Sequence, residues 1–205
     1  CALNIKSEDL RQKVREKRIG NTFLFAVDAS GSMGARERMR AVKGAIFYML
    51  QEAYQKRDRV GMVAFRRQKA ELLLPITRSV DLAQKCLAEM PTGGKTPLAD
   101  GLSMALVTLG MLNKKDSELE PVLILVTDGR ANAIEENGGD PVESALKMAE
   151  KIRKAKITSV VIDTETDFIK LGVAKAVAKA MGATYYSLRS LSQEQILRIV
   201  RNLDV

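Results

Sequence analysis

Short apolar runs alternate with longer amphipathic stretches through most of this 205-residue chain. Most of the runs are continuous and uncharged, which suits parallel strands buried on both faces, whereas the stretches between them have the length and spacing of helices. Such alternation is typical of βαβ units, and it predicts a doubly wound α/β fold with a mostly parallel sheet flanked by helices. Strands are predicted at residues 23–27, 60–65, 70–76, 122–126, 159–162 and 184–188.

The stretches between the runs predict the helices and the limits of the domain. Pro75 lacks a backbone donor, so the strand that contains it is expected at an edge of the sheet. Residues 6–18 are charged and favour a helix, which a Gly-Asn pair ends. We therefore expect a helical extension at residues 1–20 and a single α/β domain at residues 21–205. Helices within the domain are predicted at residues 37–55, 80–90, 98–114, 142–155, 170–181 and 192–203.

The chain contains no histidine, and this absence removes several classes of chemistry. Ser-His-Asp and Cys-His catalysis, histidine-ligated zinc and imidazole proton transfer all require that side chain. The two cysteines, Cys1 and Cys86, do not make a disulfide framework, and Cys86 is expected to fill the core from an apolar helical stripe. Any chemistry is therefore expected to rest on carboxylates, hydroxyls, lysines or a hard metal ion, in a reducing intracellular setting.

The apolar runs are too short to cross a membrane, for which roughly 18–20 residues are needed. Residues 1–20 are charged and lack the apolar segment of a signal peptide. These features predict a cytoplasmic protein. A chain that starts at Cys1 instead of Met suggests a piece of a longer protein, although a mature lipoprotein would also begin with cysteine.

The chain has a formal net charge of +8, and the excess lies in its first third. Residues 1–69 contain 16 Lys and Arg against 7 Asp and Glu, whereas the remaining residues contain 17 against 18. A basic surface of this kind could contact nucleic acid, an anionic lipid surface or an acidic protein, and an acidic protein partner is favoured. Nucleic acid is not favoured, because five Phe, four Tyr and no Trp leave few rings for base stacking. Arg36, Arg38 and Arg40 lie at the start of the helix predicted at residues 37–55 or just before it, where they are either simply solvated or steer such a partner.

Polar side chains that bind hard metal ions follow two of the buried strands. Asp28, Ser30 and Ser32 come directly after the first strand, and Asp128 follows a later one. Thr96 lies between them in the sequence, at a helix start. In an open parallel sheet, ligands bind beyond the carboxyl ends of the strands, so we expect these five side chains to converge.

The chemistry of these groups fits Mg²⁺ or Mn²⁺. Mg²⁺ takes six oxygens in near-octahedral geometry at about 2.0–2.1 Å and gives up water reluctantly. Three hydroxyls supply neutral oxygens, and Asp28 and Asp128 supply carboxylates directly or through water. With so few anionic ligands the ion would keep much of its charge, and a sixth position would be open to a carboxylate from a protein partner.

In this order and spacing, the motifs DASGS, GGKTP and TDG resemble the metal-ion-dependent adhesion site (MIDAS) of von Willebrand factor A domains. The resemblance extends over about residues 22–205 and implies the Rossmann-like fold of those domains. It places the metal ligands on the same five residues, Asp28, Ser30, Ser32, Thr96 and Asp128.

Longer segments, among them FAVDASGSM, RVGMVAFR and GGKTPLADGL, are similar to the D subunits of magnesium chelatase and to their cobaltochelatase relatives. That resemblance implies that the chain is part of a subunit in an ATP-driven complex, which inserts a metal ion into a tetrapyrrole. It also implies that the chain is not catalytic by itself. It implies two partners, an AAA+ ATPase subunit that docks at the MIDAS and a large subunit that binds the tetrapyrrole. The implied MIDAS ion is adhesive and is not the ion inserted. The implied location is the cytoplasm, or the plastid stroma in a plant or alga.

Two other functions stay open. A domain of this type would also serve another AAA+ chaperone or adhesion system, and Asp28 at the end of a first strand would suit a metal-dependent phosphotransferase. Residues 94–96 resemble the end of a nucleotide-binding P-loop, but the full motif requires glycine where the chain has Glu89, and Pro97 departs from it as well. We therefore expect no nucleotide to bind to this chain.

Overall fold

The computed structural model describes residues 20–31, 35–56, 58–88, 92–115, 120–132, 139–165, 172–187 and 192–203. The helix predicted at residues 6–18 lies outside these ranges, and so does Ser32. The division of the chain after residue 20 therefore remains a prediction. Within the described ranges, no helix is long and apolar enough to span a lipid bilayer.

A six-stranded sheet forms the centre of the described structure. Its strands are β1 (Thr22–Asp28), β2 (Arg59–Arg66), β3 (Lys69–Thr77), β4 (Pro121–Thr127), β5 (Thr158–Asp163) and β6 (Thr184–Ser187). Their order is β3-β2-β1-β4-β5-β6, and neighbouring strands are parallel except for β2 and β3. The predicted doubly wound, mostly parallel sheet is confirmed, and each predicted strand overlaps an observed one.

In the described ranges, helices cover both faces of this sheet. They are α1 (Ala35–Lys56), α2 (Val80–Leu87), α3 (Leu98–Lys115), α4 (Pro141–Lys154), α5 (Val173–Met181) and α6 (Gln193–Arg201). Side chains of α1, α2 and α6 pack into one core, whereas those of α3, α4 and α5 pack into the other. The helices predicted from amphipathic spacing are therefore present, with ends that differ by a few residues.

The central strand β1 shows why the strand sequences are apolar throughout. Phe23, Phe25 and Val27 belong to the core beneath α1, α2 and α6, whereas Leu24 and Ala26 belong to the core on the opposite face. All residues of β1 are buried. A strand that is covered on both faces has no solvent-facing positions, so its sequence lacks the alternation of a half-exposed strand.

The strand β3 lies at one edge of the sheet, as Pro75 predicted. It runs antiparallel to β2 after a two-residue turn, and Arg66 and Lys69 face each other across the hairpin. Pro75 is exposed. Because proline has no N–H to donate, it weakens this free edge as a template for pairing with another strand.

The chain changes direction across the sheet between β1 and β4. Helix α1 leads from β1 to β2, whereas α3 leads into β4 on the opposite side of β1. The connections that follow β1 and β4 therefore leave the carboxyl edge of the sheet in opposite directions, at a topological switch point. Open α/β sheets bind their ligands at such a switch point.

Candidate metal site

The carboxylate of Asp28 is fixed at the carboxyl end of β1. It is 0% exposed, and its Oδ1 accepts a hydrogen bond of 2.9 Å from the backbone N–H of Ser30. Its Oδ2 accepts one of 3.3 Å from the hydroxyl of Thr127, the last residue of β4. The hydroxyl of Thr127 in turn accepts from the backbone N–H of Gly129 at 3.1 Å. The loop after β1 and the end of the neighbouring strand β4 therefore hold this carboxylate in one orientation.

Asp128 follows β4 and brings a second buried carboxylate to the same edge, with 5% of the residue exposed. Its Oδ1 accepts a hydrogen bond from the backbone N–H of Arg130 at 3.3 Å. Its Oδ2 lies 3.5 Å from Nη1 of Arg38, which comes from the first turns of α1. The Arg38 guanidinium also donates to the Thr164 hydroxyl at 3.3 Å and to the backbone oxygen of Asp28 at 3.5 Å.

The loop that carries Thr96 is attached to the loop after β1 by backbone hydrogen bonds. The N–H of Gly93 donates to the oxygen of Ala29 at 2.8 Å, and the N–H of Gly31 donates to the oxygen of Gly94 at 2.9 Å. A Cβ on Gly31 would lie 3.3 Å from the Gly94 nitrogen, so glycine permits this close approach. These bonds bring Thr96 to the edge that holds the two aspartates.

A further bond fixes the Thr96 backbone but leaves its side chain without a partner. The Thr96 N–H donates to Oδ1 of Asn132 at 2.8 Å. The Thr96 hydroxyl is buried, with 1% of the residue exposed, and has no hydrogen-bond partner within the described part of the chain. Leaving a buried polar atom unpaired costs about 1–3 kcal/mol, so this oxygen is poised to bind something else.

The electrostatics of the site favour an additional cation. Burial, together with the nearby Asp128 carboxylate, raises the pKa of Asp28 to about 6, although Arg38 and the Ser30 hydrogen bonds act in the opposite direction. Arg38 is thus the cation that offsets part of the negative charge of these two buried carboxylates. A second positive charge would favour the ionised form of Asp28.

The donor set fits a hard divalent ion. Among the described residues, no three His, Cys, Asp or Glu side chains form a group that could hold a metal. The site instead offers two carboxylates with the hydroxyls of Ser30 and Thr96, and Ser30 is also buried. Oxygen ligands of this kind suit Mg²⁺ or Mn²⁺ and do not suit a metal that requires thiolate or imidazole.

Four of the five predicted ligands, Asp28, Ser30, Thr96 and Asp128, lie at this edge, and Ser32 falls outside the described residues. The three arginines that were predicted to steer a partner differ in their exposure to solvent. Arg36 and Arg40 are exposed, whereas Arg38 is only 2% exposed and pairs with Asp128. The expectation that Arg38 presents its charge to a partner is therefore corrected, because its guanidinium is an internal counter-charge of the site.

Sequence reasoning also missed the supporting residues Thr127, Asn132 and Thr164. A signal for Arg38 was present, because it is spaced three, four and seven residues from the buried Ala41, Val42 and Ala45. That spacing places it on the core-facing side of α1. The Asn132 contact carries no comparable signal, because the residues are 36 positions apart in the sequence and both lie in loops.

Sequence comparison finds several relatives of this chain. Residues 23–131 match the family model described as von Willebrand factor type A domain. The chain is 43% identical over 175 residues to an uncharacterized protein of Methanocaldococcus jannaschii, and the match covers 84% of this chain and 99% of that protein. It is 36% identical over 206 residues to the magnesium-chelatase 67 kDa subunit of Chlorobaculum parvum, covering 96% of this chain and 33% of that subunit. The chain thus spans about a third of the length of this magnesium-chelatase relative.

Solved structures show the same architecture at low sequence identity. The vWF domain of a type V pili tip protein from Porphyromonas gingivalis superimposes with a TM-score of 0.65. The match covers 89% of this chain and 95% of that one, at 11% identity. Similarity at this level establishes the fold alone.

Proposed function

The chain belongs to the von Willebrand factor type A family, and on that premise we propose that it is a metal-dependent protein-interaction domain. In this proposal one Mg²⁺ or Mn²⁺ ion is held by Asp28, Ser30, Ser32, Thr96 and Asp128. The bound ion would supply a positive charge and one exchangeable ligand position, to which a partner's carboxylate binds. The domain would occupy residues 21–205, after a helical extension at residues 1–20.

The unpaired hydroxyl of Thr96 is the observation that carries this proposal. Its oxygen is buried at the edge where two carboxylates and the Ser30 loop also lie, and no described group donates to it or accepts from it. A fold retains such an atom at a cost in stability. A cation at this edge would pair the oxygen and would neutralise the excess negative charge of Asp28 and Asp128.

The same geometry does not favour a phosphotransferase that uses Asp28. Both oxygens of this carboxylate accept hydrogen bonds, from Ser30 and from Thr127, and the residue is 0% exposed. A nucleophile must reach its substrate, and this carboxylate is turned into the protein. Its role in the proposal is to anchor the site, with Arg38 balancing part of its charge.

The partner is inferred from the magnesium-chelatase relatives, which are 36–39% identical to this chain. We infer that the domain belongs to an ATP-driven metal-insertion complex and docks through its metal site on an AAA+ ATPase subunit. A large subunit would bind the tetrapyrrole, and the complex would work in the cytoplasm or plastid stroma. Arg36 and Arg40, both exposed near the start of α1, remain candidates for steering an acidic partner.

A second candidate is a domain of the same type in a different AAA+ or adhesion system. The observation that favours it is the Methanocaldococcus jannaschii relative, 99% of whose length matches this chain. In that protein, little sequence remains outside the domain. The metal site and its carboxylate-bearing partner would be unchanged in this candidate, and only the identity of the partner would differ.

The decisive experiment measures binding to the purified AAA+ subunit from the same organism, with millimolar Mg²⁺ or with EDTA. We expect EDTA, or Thr96→Val in Mg²⁺, to weaken binding by roughly tenfold or more, as loss of support around a metal ion commonly does. The matched control is Thr22→Val, because Thr22 also buries an unpaired hydroxyl but lies at the opposite end of β1.

Binding that is equally tight in Mg²⁺, in EDTA and with Thr96→Val would show that the partner docks elsewhere. Metal-dependent binding to a different AAA+ protein, without binding to the chelatase-type subunit, would favour the second candidate.

A further inference from the structure

We propose that the β2–β3 hairpin forms a second contact with the same partner. At this contact the hairpin binds an acidic peptide segment of the partner without a metal ion. The identity of the partner rests on the proposed function, whereas the pocket itself does not. A pocket of about 280 Å³ opens at the tip of this hairpin. It is lined by Ala64, Arg66, Arg67, Lys69, Glu71 and Leu73, among others.

Positive charge is left unbalanced in this pocket. The hairpin register places Arg66 directly opposite Lys69, and Glu71 opposite Ala64. Like charges that face each other across two strands are destabilising. Among the described residues, no side-chain hydrogen bond or ion pair within 4.0 Å engages Arg66, Arg67 or Lys69. An anion between these side chains would relieve their repulsion.

The backbone of Arg67 supports a functional role for its side chain. Arg67 has a φ of 57°, in the left-handed region that glycine and asparagine occupy most readily in two-residue hairpin turns. An arginine at this position is strained, and strain of this kind concentrates at functional sites. The turn therefore holds a long cationic side chain where a glycine would fit the backbone better.

The hairpin tip is in contact with the loop that carries Thr96. A Cβ on Gly94 would lie 3.1 Å from Cα of Arg67 and 2.5 Å from its Cγ, so these backbones touch. Gly94 lies two residues before Thr96, and its oxygen accepts a hydrogen bond from the N–H of Gly31 in the loop after β1. One extended peptide segment could therefore reach both the pocket and the metal site along the same edge of the sheet.

The chemistry of the pocket favours a peptide over nucleic acid. Its cations lie around the small apolar side chain of Ala64 and the half-buried Leu73, which suits acidic residues flanking an apolar one. Among the described residues that line the pocket there is no aromatic side chain on which a base could stack.

The test uses the full chain in EDTA, so that the metal site makes no contribution. The probe is the peptide Glu-Glu-Leu-Glu-Glu, acetylated at its N-terminus and amidated at its C-terminus. Its binding is measured from the backbone amide chemical shifts of the chain in NMR spectra. We expect saturable shifts at residues 66–73. The double variant Arg66→Gln and Lys69→Gln should weaken peptide binding roughly fivefold or more, because it removes two charges and an exposed ion pair contributes up to about 1 kcal/mol. The control, Lys151→Gln with Lys154→Gln, removes two exposed charges from α4 and should leave affinity unchanged.

A third variant separates binding from folding. Arg67→Asn should also weaken binding of the peptide. The midpoint of thermal unfolding should stay equal or rise, because asparagine tolerates the left-handed region better than arginine does. Equal shifts with the glutamine version of the peptide, tighter binding of a short oligothymidylate, or unchanged affinity in the hairpin variants would each overturn the proposal. Loss of Mg²⁺ dependence in partner binding would instead contradict the metal site and leave this pocket intact.

Discussion

Thr22 and Thr96 each bury a hydroxyl that lacks a hydrogen-bond partner in the described residues, but they lie at opposite ends of the sheet. We predict that valine at either position leaves the metal-free protein as stable or up to about 1–3 kcal/mol more stable, because a methyl group replaces a buried hydroxyl that has no partner. Mg²⁺ should then stabilise wild type and Thr22→Val by about 2.7 kcal/mol at a hundredfold excess over Kd, and Thr96→Val much less. Thermal denaturation with and without EDTA measures this, and an equal Mg²⁺ response in both variants would contradict it.

The buried ion pair of Arg38 and Asp128 and the exposed pair of Lys147 and Glu143 allow a second comparison. The exposed pair is shorter, at 2.8 Å against 3.5 Å. We nevertheless predict that Arg38→Met destabilises the metal-free protein by about 3 kcal/mol, because it leaves a buried carboxylate without its counter-charge. Lys147→Met should cost about 0.5 kcal/mol or less, since water screens an exposed pair.

Urea denaturation provides the measurement for both methionine variants. Mg²⁺ should reduce the loss in Arg38→Met, because the proposed cation would supply part of the missing positive charge. Similar losses in the two variants, or a loss in Arg38→Met that Mg²⁺ does not change, would argue against this view of Arg38.

At the scale of elements, two glycines of α3 differ in what surrounds them. A Cβ on Gly101 would lie 2.5 Å from the ring of Phe65 in β2, whereas a Cβ on Gly110 would meet nothing within 4 Å. We predict that Gly101→Ala destabilises by about 1–3 kcal/mol through overpacking. Gly110→Ala should stabilise by about 0.5–1 kcal/mol, because alanine favours a helix interior.

The difference between the alanine variants tests whether α3 and β2 are in contact as closely as the structure places them. Equal unfolding free energies for Gly101→Ala and Gly110→Ala would show that the helix lies farther from the strand. The contact bears on the site, because Leu98, the first residue of α3, follows the Thr96 loop directly.

At the scale of the whole molecule, the sheet was predictable because burial on both faces restricts its strands to apolar residues. The carboxyl edge was predictable for the same reason, since Asp28 and Asp128 interrupt those runs where the strands end. Two features were not predicted from the sequence. The spacing of Arg38 from Ala41, Val42 and Ala45 indicates the core-facing side of α1, but an arginine on a helix is ordinarily solvated, and the prediction followed that general tendency. The Arg67 turn contains neither glycine nor asparagine, so the sequence gives no sign of its left-handed backbone.

Gly93 and Gly94 join the Thr96 loop to the loop after β1 by backbone bonds, and these bonds are formed when the chain folds. Ordering a flexible residue costs about 1–2 kcal/mol, so a site that a cation had to assemble would bind that cation more weakly. Loops that are joined by backbone hydrogen bonds also resist changes in the size of the cation site between them. Ca²⁺ prefers oxygens at about 2.3–2.6 Å, against about 2.0–2.1 Å for Mg²⁺. Discrimination between these ions would then come from the rigidity of the loops and not from the identity of the ligating side chains.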